Sequence, residues 1–188
     1  MDVVTGFRSF IDSTALSVCD NHRIHNHKVC AEFAERGTGS MGWFYGFKLH
    51  LVINDCGEIL ACRITPGNVD DRTPVPTLCK RLFGKLLADR GYVSQPLFEQ
   101  LLQTVGVQLI TKLKKNMKNR LLPWMDKLLL RKRAIIESIV DQLKNISQIA
   151  SLRSPINCFI NMIAGLIAYC HQLKKPSLNL FPSGLLTT

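Results

Sequence analysis

The sequence predicts a mixed α/β fold, a β-sheet flanked by helices. Three observations carry this expectation. Three strand-like segments come first, between Phe10 and Thr65. Helix-like and strand-like segments then alternate as far as Leu113, and helical spacing dominates from Trp124 onward. Early strands followed by alternation and then by helices argue for one mixed sheet covered by helices.

Phe10 to Val18 reads as the first strand: Ile11, Leu16 and Val18 are apolar, and Thr14 and Ser17 tolerate a pleat. Cys19 to Gly42 is polar and glycine-rich and reads as a long loop. Trp43 to Asn54 alternates aromatic and aliphatic residues, and Glu58 to Thr65 resumes as a strand after the turn Asn54-Asp55-Cys56-Gly57. A glycine in such a short connection signals a hairpin. Pro66-Gly67-Asn68 stops the second arm. Thr73 to Phe83 reads as a helix with proline near its first turn, where the missing N–H costs nothing.

Lys85 to Ala88 is a short strand that delivers Asp89. Gln95 to Val105 is a helix, with Pro96 near its start and Gly106 as its stop. Val107 to Leu113 is a further strand, and Lys114 to Arg120 a basic connection. Trp124 to Ile149 reads as helical, with Ile135, Ile139, Leu143 and Ile146 at helical spacing. A break around Ser151 to Pro155 precedes a last helix, about Ile156 to Gln172. One domain over residues 1–173 is expected, then a disordered tail over 174–188.

At 188 residues the chain has room for one well-cored domain. A net charge of +10 favours nucleic acid or an anionic membrane as partner. The 7 cysteines are odd in number and scattered, which fits a reduced, intracellular chain. The N-terminus shows no secretory signal. Ile156 to Cys170 is too short for a membrane span, which needs about 20 residues. Cys19, His22, His25, His27 and Cys30 lack the paired spacings and the second half of a zinc site, and read as a loop near DNA. Asp70 and Asp71 read as helix caps, and His50 as a packed histidine.

Three acids carry the chemistry. Asp12 follows the apolar Phe10-Ile11, and Asp89 ends Leu86-Leu87-Ala88 before Arg90-Gly91-Tyr92. Glu137 lies in a helical run and shares a face with Arg133, Asp141 and Lys144. An acid at the end of a buried strand is costly unless something cationic meets it. Three such acids together would repel one another and hold protons. A divalent metal removes that penalty, and hard oxygen ligands suit Mg²⁺ or Mn²⁺. Two metals held this way clamp the attacking and leaving oxygens of a phosphoryl transfer. Sites in open α/β sheets form at strand carboxyl ends, where Asp89 stands. If the strand bearing Asp12 lies beside it, the two carboxylates share a site.

These blocks resemble the catalytic core of DDE-type bacterial insertion-sequence transposases, whose fold is RNase H-like. Ile11-Asp12-Ser13-Thr14 resembles the first block and Ala88-Asp89-Arg90-Gly91-Tyr92 the second. Arg133, Glu137 and Lys144 match the third, Y-x2-R-x3-E-x6-K, with Leu130 at the tyrosine position. Phe47-Lys48-Leu49-His50 and Thr65-Pro66-Gly67-Asn68-Val69-Asp70-Asp71 also resemble the family's core. The resemblance covers roughly Ser9 to Ser177.

The resemblance implies that Asp12, Asp89 and Glu137 hold two Mg²⁺ or Mn²⁺ ions for cleavage of DNA and strand transfer. It implies phosphate contacts from Arg133 and Lys144 near the cut. Lys112, Lys114, Lys115, Lys118 and Arg120 would track the DNA backbone. Double-stranded DNA, as transposon ends and target, is the implied partner; a homodimer is compatible with it, and no membrane is. The implied location is the bacterial cytoplasm, at the nucleoid. Family members usually carry a helical DNA-recognising region before the first aspartate, so Asp12 near the start predicts an N-terminally truncated core that binds DNA without sequence preference. An RNase H-like nuclease, or an inactive remnant that only binds DNA nonspecifically, are the alternatives.

Overall fold

A computed structural model describes residues 8–26, 28, 30–39, 42–112, 122–145 and 155–178. The strands are β1 (Arg8–Cys19), β2 (Glu35–Gly39), β3 (Gly42–Asn54), β4 (Ile59–Pro66), β5 (Gly84–Ala88) and β6 (Val107–Thr111). The helices are α1 (Val75–Leu78), α2 (Gln95–Val105), α3 (Trp124–Arg131), α4 (Ala134–Asn145) and α5 (Pro155–Cys170). The strands form one six-stranded sheet in the order β2-β3-β1-β5-β6, with β4 also paired to β3. This is the predicted mixed sheet flanked by helices, in an RNase H-like arrangement.

β1 lies at the centre because it can be buried on both faces. Phe10, Ile11 and Leu16 are completely or almost completely shielded from water. Along one edge β1 runs antiparallel to β3, from Ser9 opposite Asn54 to Leu16 opposite Phe47. Along the other it runs parallel to β5, only from Arg8 to Phe10. β5 and β6 are parallel, from Gly84 beside Val107 to Ala88 beside Thr111.

Alternation along the strands separates two cores. Phe10, Leu16, Leu49, Leu51 and Ile53 pack against Ile135, Ile136, Ile139 and Leu143 of α4 and Met162 and Tyr169 of α5. Ile11, Val52 and Leu86 face the other way, against Val75 and Leu78 of α1 and Leu97 and Leu101 of α2.

Helix α2 follows its local signals. The Ser94 hydroxyl accepts a hydrogen bond from the Leu97 N–H, and Gly106 closes the helix at φ 68°. The predicted hairpin also forms, with Gly57 at φ 77° in the turn between β3 and β4.

Three expectations need correction. The Cys19–Gly42 stretch is not simply a loop. It holds a 3-10 helix at Asn21–Asn26 and the edge strand β2, which pairs with the start of β3. β2 has no apolar alternation because its one buried residue is Gly37, pressed against the Gly67 carbonyl with no room for a Cβ. The expected helix from Thr73 to Phe83 is only one turn, Val75–Leu78. The chain turns at Cys79–Leu82 to enter β5 at Gly84. The run from Trp124 is two helices, broken at Lys132–Arg133.

Strand β6 ends at Thr111, and the Lys114–Arg120 connection and residues 146–149 lie outside the described residues. Beyond α5, the Leu178 N–H donates to the Asp55 carbonyl, while residues 179–188 lie outside the described residues. Among the described residues no helix is long and apolar enough to cross a membrane.

Candidate active site

The parallel pairing of β1 and β5 decides where two acids go. Phe10 pairs with Leu87, the last pair before the strands diverge. Asp12 and Asp89 each stand two residues beyond that pair, so they sit side by side at the carboxyl end of β5. Ala88 pairs with Thr111, which places Lys112 at the same level on the next strand. Alternation turns Asp12 toward the same face as Phe10 and Leu16, the face that α4 covers.

Glu137 stands in the first turn of α4. Ile136 and Ile139, both fully buried, anchor this helix on the sheet and fix where Glu137 sits. Arg133 is in the break between α3 and α4, and its side chain turns inward. Its Nη1 lies 3.4 Å from Asp12 Oδ2. Its Nη2 lies 3.6 Å from Asp89 Oδ1 and 3.5 Å from Glu137 Oε1. The structure thus gathers all three acids around one guanidinium. The Arg133 side chain is 9% exposed, whereas Asp89 is 48% and Glu137 60% exposed, so the cluster has a closed floor and an open mouth.

Burial pushes the Asp12 carboxyl above its ordinary range. The Arg133 charge and the Ser13 N–H oppose this, while Asp89 and Glu137 push it further up. The Ser13 N–H donates to Asp12 Oδ1 at 2.9 Å.

Lys144 is not drawn into the cluster. It is half-buried two turns along α4; burial lowers its pKa, and Asp141 opposes that shift. Lys112 is exposed. Lys114, Lys115, Lys118 and Arg120 lie outside the described residues.

The opposite face of the sheet holds a polar group built on His50, expected to be a packed histidine, and on the segment of Asp70 and Asp71, expected to be caps. His50 is fully buried, with Nε2 2.9 Å from Thr65 Oγ1. Lys48 donates to the Val69 carbonyl at 3.0 Å and stands 3.1 Å from Asp71 Oδ1. These contacts tie the Thr65–Asp71 segment to β3. Burial holds His50 down at about 4. Burial pushes the Tyr92 hydroxyl up, with Asp12 and Asp71 adding to the effect. The signal was in the sequence: Lys48 and His50 are two apart on a strand and share a face.

Neither aspartate caps α1, whose N-cap position is held by Pro74 with no side-chain hydrogen bond. Asp70 instead accepts from the Arg72 N–H and Nε, and those hydrogen bonds hold its carboxyl down at about 2.

Among the described residues no group of three or more His, Cys, Asp or Glu side chains is arranged to hold a metal ion. The donor set nevertheless suits one in kind. It is three carboxylates without a softer ligand, already gathered around a positive charge, which is the chemistry a hard divalent cation takes.

Fold and cluster together define an α/β protein in which an aspartate within β1, another just past the end of β5 and a glutamate of α4 gather around one guanidinium. A family model for the transposase DDE domain matches residues 3–155, the span that contains all six strands and all three acids. The chain belongs to that family. Its function is therefore of the transposase type, with DNA as the implied partner, in a family that generally uses divalent metals. No curated protein matches the chain.

Proposed function

We propose that this chain carries out the DNA cleavage and strand transfer of transposition, with Asp12, Asp89 and Glu137 as the residues that hold two Mg²⁺ or Mn²⁺ ions. One observation supports this above the others. Three acids from β1, the end of β5 and α4 converge on Arg133 with their open side toward solvent. When bound, the ions would supply a polarised water or DNA 3′-hydroxyl and neutralise the leaving oxygen.

The remaining roles fall to the chain itself. Asp12 is the buried member, fixed by the Ser13 N–H, and sets the floor. Asp89 and Glu137, at the mouth, face the substrate. Arg133 has the fork geometry to hold a phosphate beside the cut. Lys112, level with Asp89, and Lys144, Lys114, Lys115, Lys118 and Arg120 supply further phosphate contacts along the duplex.

Nicking of supercoiled plasmid in Mg²⁺ tests the reading. Asp12→Asn, Asp89→Asn and Glu137→Gln are each expected to slow nicking on the order of 100-fold or more, because each removes negative charge that would hold a metal ion, and the ion's positive charge stabilises the transition state. Duplex binding and folding should survive. A variant that nicks at the parent rate removes that residue from the site. Joining of a labelled 3′ end to target DNA separates a transposase from a nuclease.

A further inference from the structure

The three acids meet at a guanidinium, and the way they meet is unusual. Charge-assisted N–H···O bonds normally close to about 2.7–2.9 Å. The three Arg133 contacts measure 3.4, 3.6 and 3.5 Å. Only the one to Glu137 has hydrogen-bond geometry. Nη1, though buried, makes no hydrogen bond among the described residues. A donor buried without an acceptor is destabilising, so this is not an arginine locked into a structural fork. It is one positive charge shared loosely among three negative ones.

Three carboxylates gathered within 3.6 Å of one guanidinium repel one another, and Arg133 is the positive charge set between them. Arg133 reaches the three acids from the break in the helical run at Lys132–Arg133, between α3 and α4.

We infer that the Arg133 guanidinium is a resident stand-in for the metal: it occupies the focus of Asp12, Asp89 and Glu137 in the metal-free protein and is displaced from it when a divalent cation binds. This rests on the reading of the three acids as metal ligands. It goes beyond that reading by making metal binding an exchange of one cation for another. The released guanidinium is then free to take a DNA phosphate at the open mouth of the site. Metal and DNA therefore assist each other, since coupling between two ligands is reciprocal.

The test uses the whole chain. Mn²⁺ is titrated calorimetrically into the parent, Arg133→Met, Asp12→Asn and Asp89→Asn, and thermal melting is followed with and without the ion. Arg133→Met is expected to bind Mn²⁺ at least about fivefold tighter than the parent, the low end of ordinary site coupling. Its metal-free melting temperature should fall, and saturating Mn²⁺ should raise it by more than it raises the parent's. In the parent, the Arg133 side-chain ¹⁵N resonance should shift on adding Mg²⁺. Arg133→Gln gives the same affinity comparison if the Met variant does not fold. Parent-like or weaker Mn²⁺ binding in the Arg133 variants, or a guanidinium resonance indifferent to Mg²⁺, overturns the inference while leaving the acids as ligands. Parent-like Mn²⁺ binding in Asp12→Asn and Asp89→Asn overturns the ligand assignment itself.

Discussion

Asp12 and His50 lie on opposite faces of the same sheet, His50 being paired with Ser13 across β1 and β3. Burial moves their proton affinities in opposite directions: the carboxyl up, the imidazole down to about 4. The stability consequences can be signed. His50 has an ordinary value of 6.5, above its folded value of about 4, so the unfolded chain takes up the proton first. Its contribution is complete above pH 6.5 and is lost as pH falls toward 4, by about 3 kcal/mol in all. Urea melts between those pH values should show this slope in the parent and a flatter one in His50→Gln. Asp12 works the other way. Its folded value is raised, so the folded state holds the proton more tightly, and stability is lost as pH rises through that value. At neutral pH the charge is a standing cost, and Asp12→Asn is expected to raise the metal-free melting temperature. The same substitution should slow nicking on the order of 100-fold or more. A rise in melting temperature with loss of activity marks a residue kept for function at the expense of stability.

The turn between β3 and β4 shows how elements become fixed to one another. Tyr169 of α5 donates its hydroxyl to the Gly57 carbonyl at 2.7 Å, and the Leu178 N–H donates to the Asp55 carbonyl at 2.8 Å. Two late segments thus dock on one early turn. Tyr169→Phe should cost about 1–3 kcal/mol, the penalty for leaving a buried acceptor unpaired, read as a lower midpoint in urea. Gly57→Ala should cost more, since φ is 77° and its Cβ would strike the Pro176 carbonyl. Elements with local signals were readable from the sequence. Ser94 and Gly106 bracket α2 by capping, and Gly57 marks the hairpin by its φ. What escaped depends on distant partners. β2 is a strand because β3 offers it an edge and Gly67 a close neighbour, not because Glu35–Gly39 alternates. The break before α4 exists where Arg133 meets Asp12 and Asp89, both far away in sequence. The three acids were legible because each had a distinctive neighbourhood, but their gathering on Arg133 was not. Spacing showed Arg133 only as a partner of Glu137 on one helix face.

Taken whole, the molecule carries a net charge of +10 while its three converging acids stand at one end of the sheet. On the proposed reading, DNA binding without metal draws on basic side chains near those acids and works against their repulsion. Lys112 is placed to take part, because the β5–β6 register sets it level with Asp89 and it is exposed. Lys80 is an exposed lysine of the opposite situation, lying before β5 at the strand's entry end. Each phosphate neutralised by a lysine lowers the logarithm of affinity by roughly 0.9 per decade of salt. A lysine that touches phosphate should therefore reveal itself in the slope as well as in the affinity. Anisotropy titrations of a labelled duplex across a KCl series are expected to give a straight, steep decline for the parent. Lys112→Ala should flatten that slope by about 0.9 and weaken binding at every salt concentration. Lys80→Ala should leave slope and affinity as they were. If Lys112→Ala keeps the parent slope, or Lys80→Ala flattens it equally, then DNA does not lie across the carboxyl end of the sheet, where Asp12, Asp89 and Glu137 could reach it.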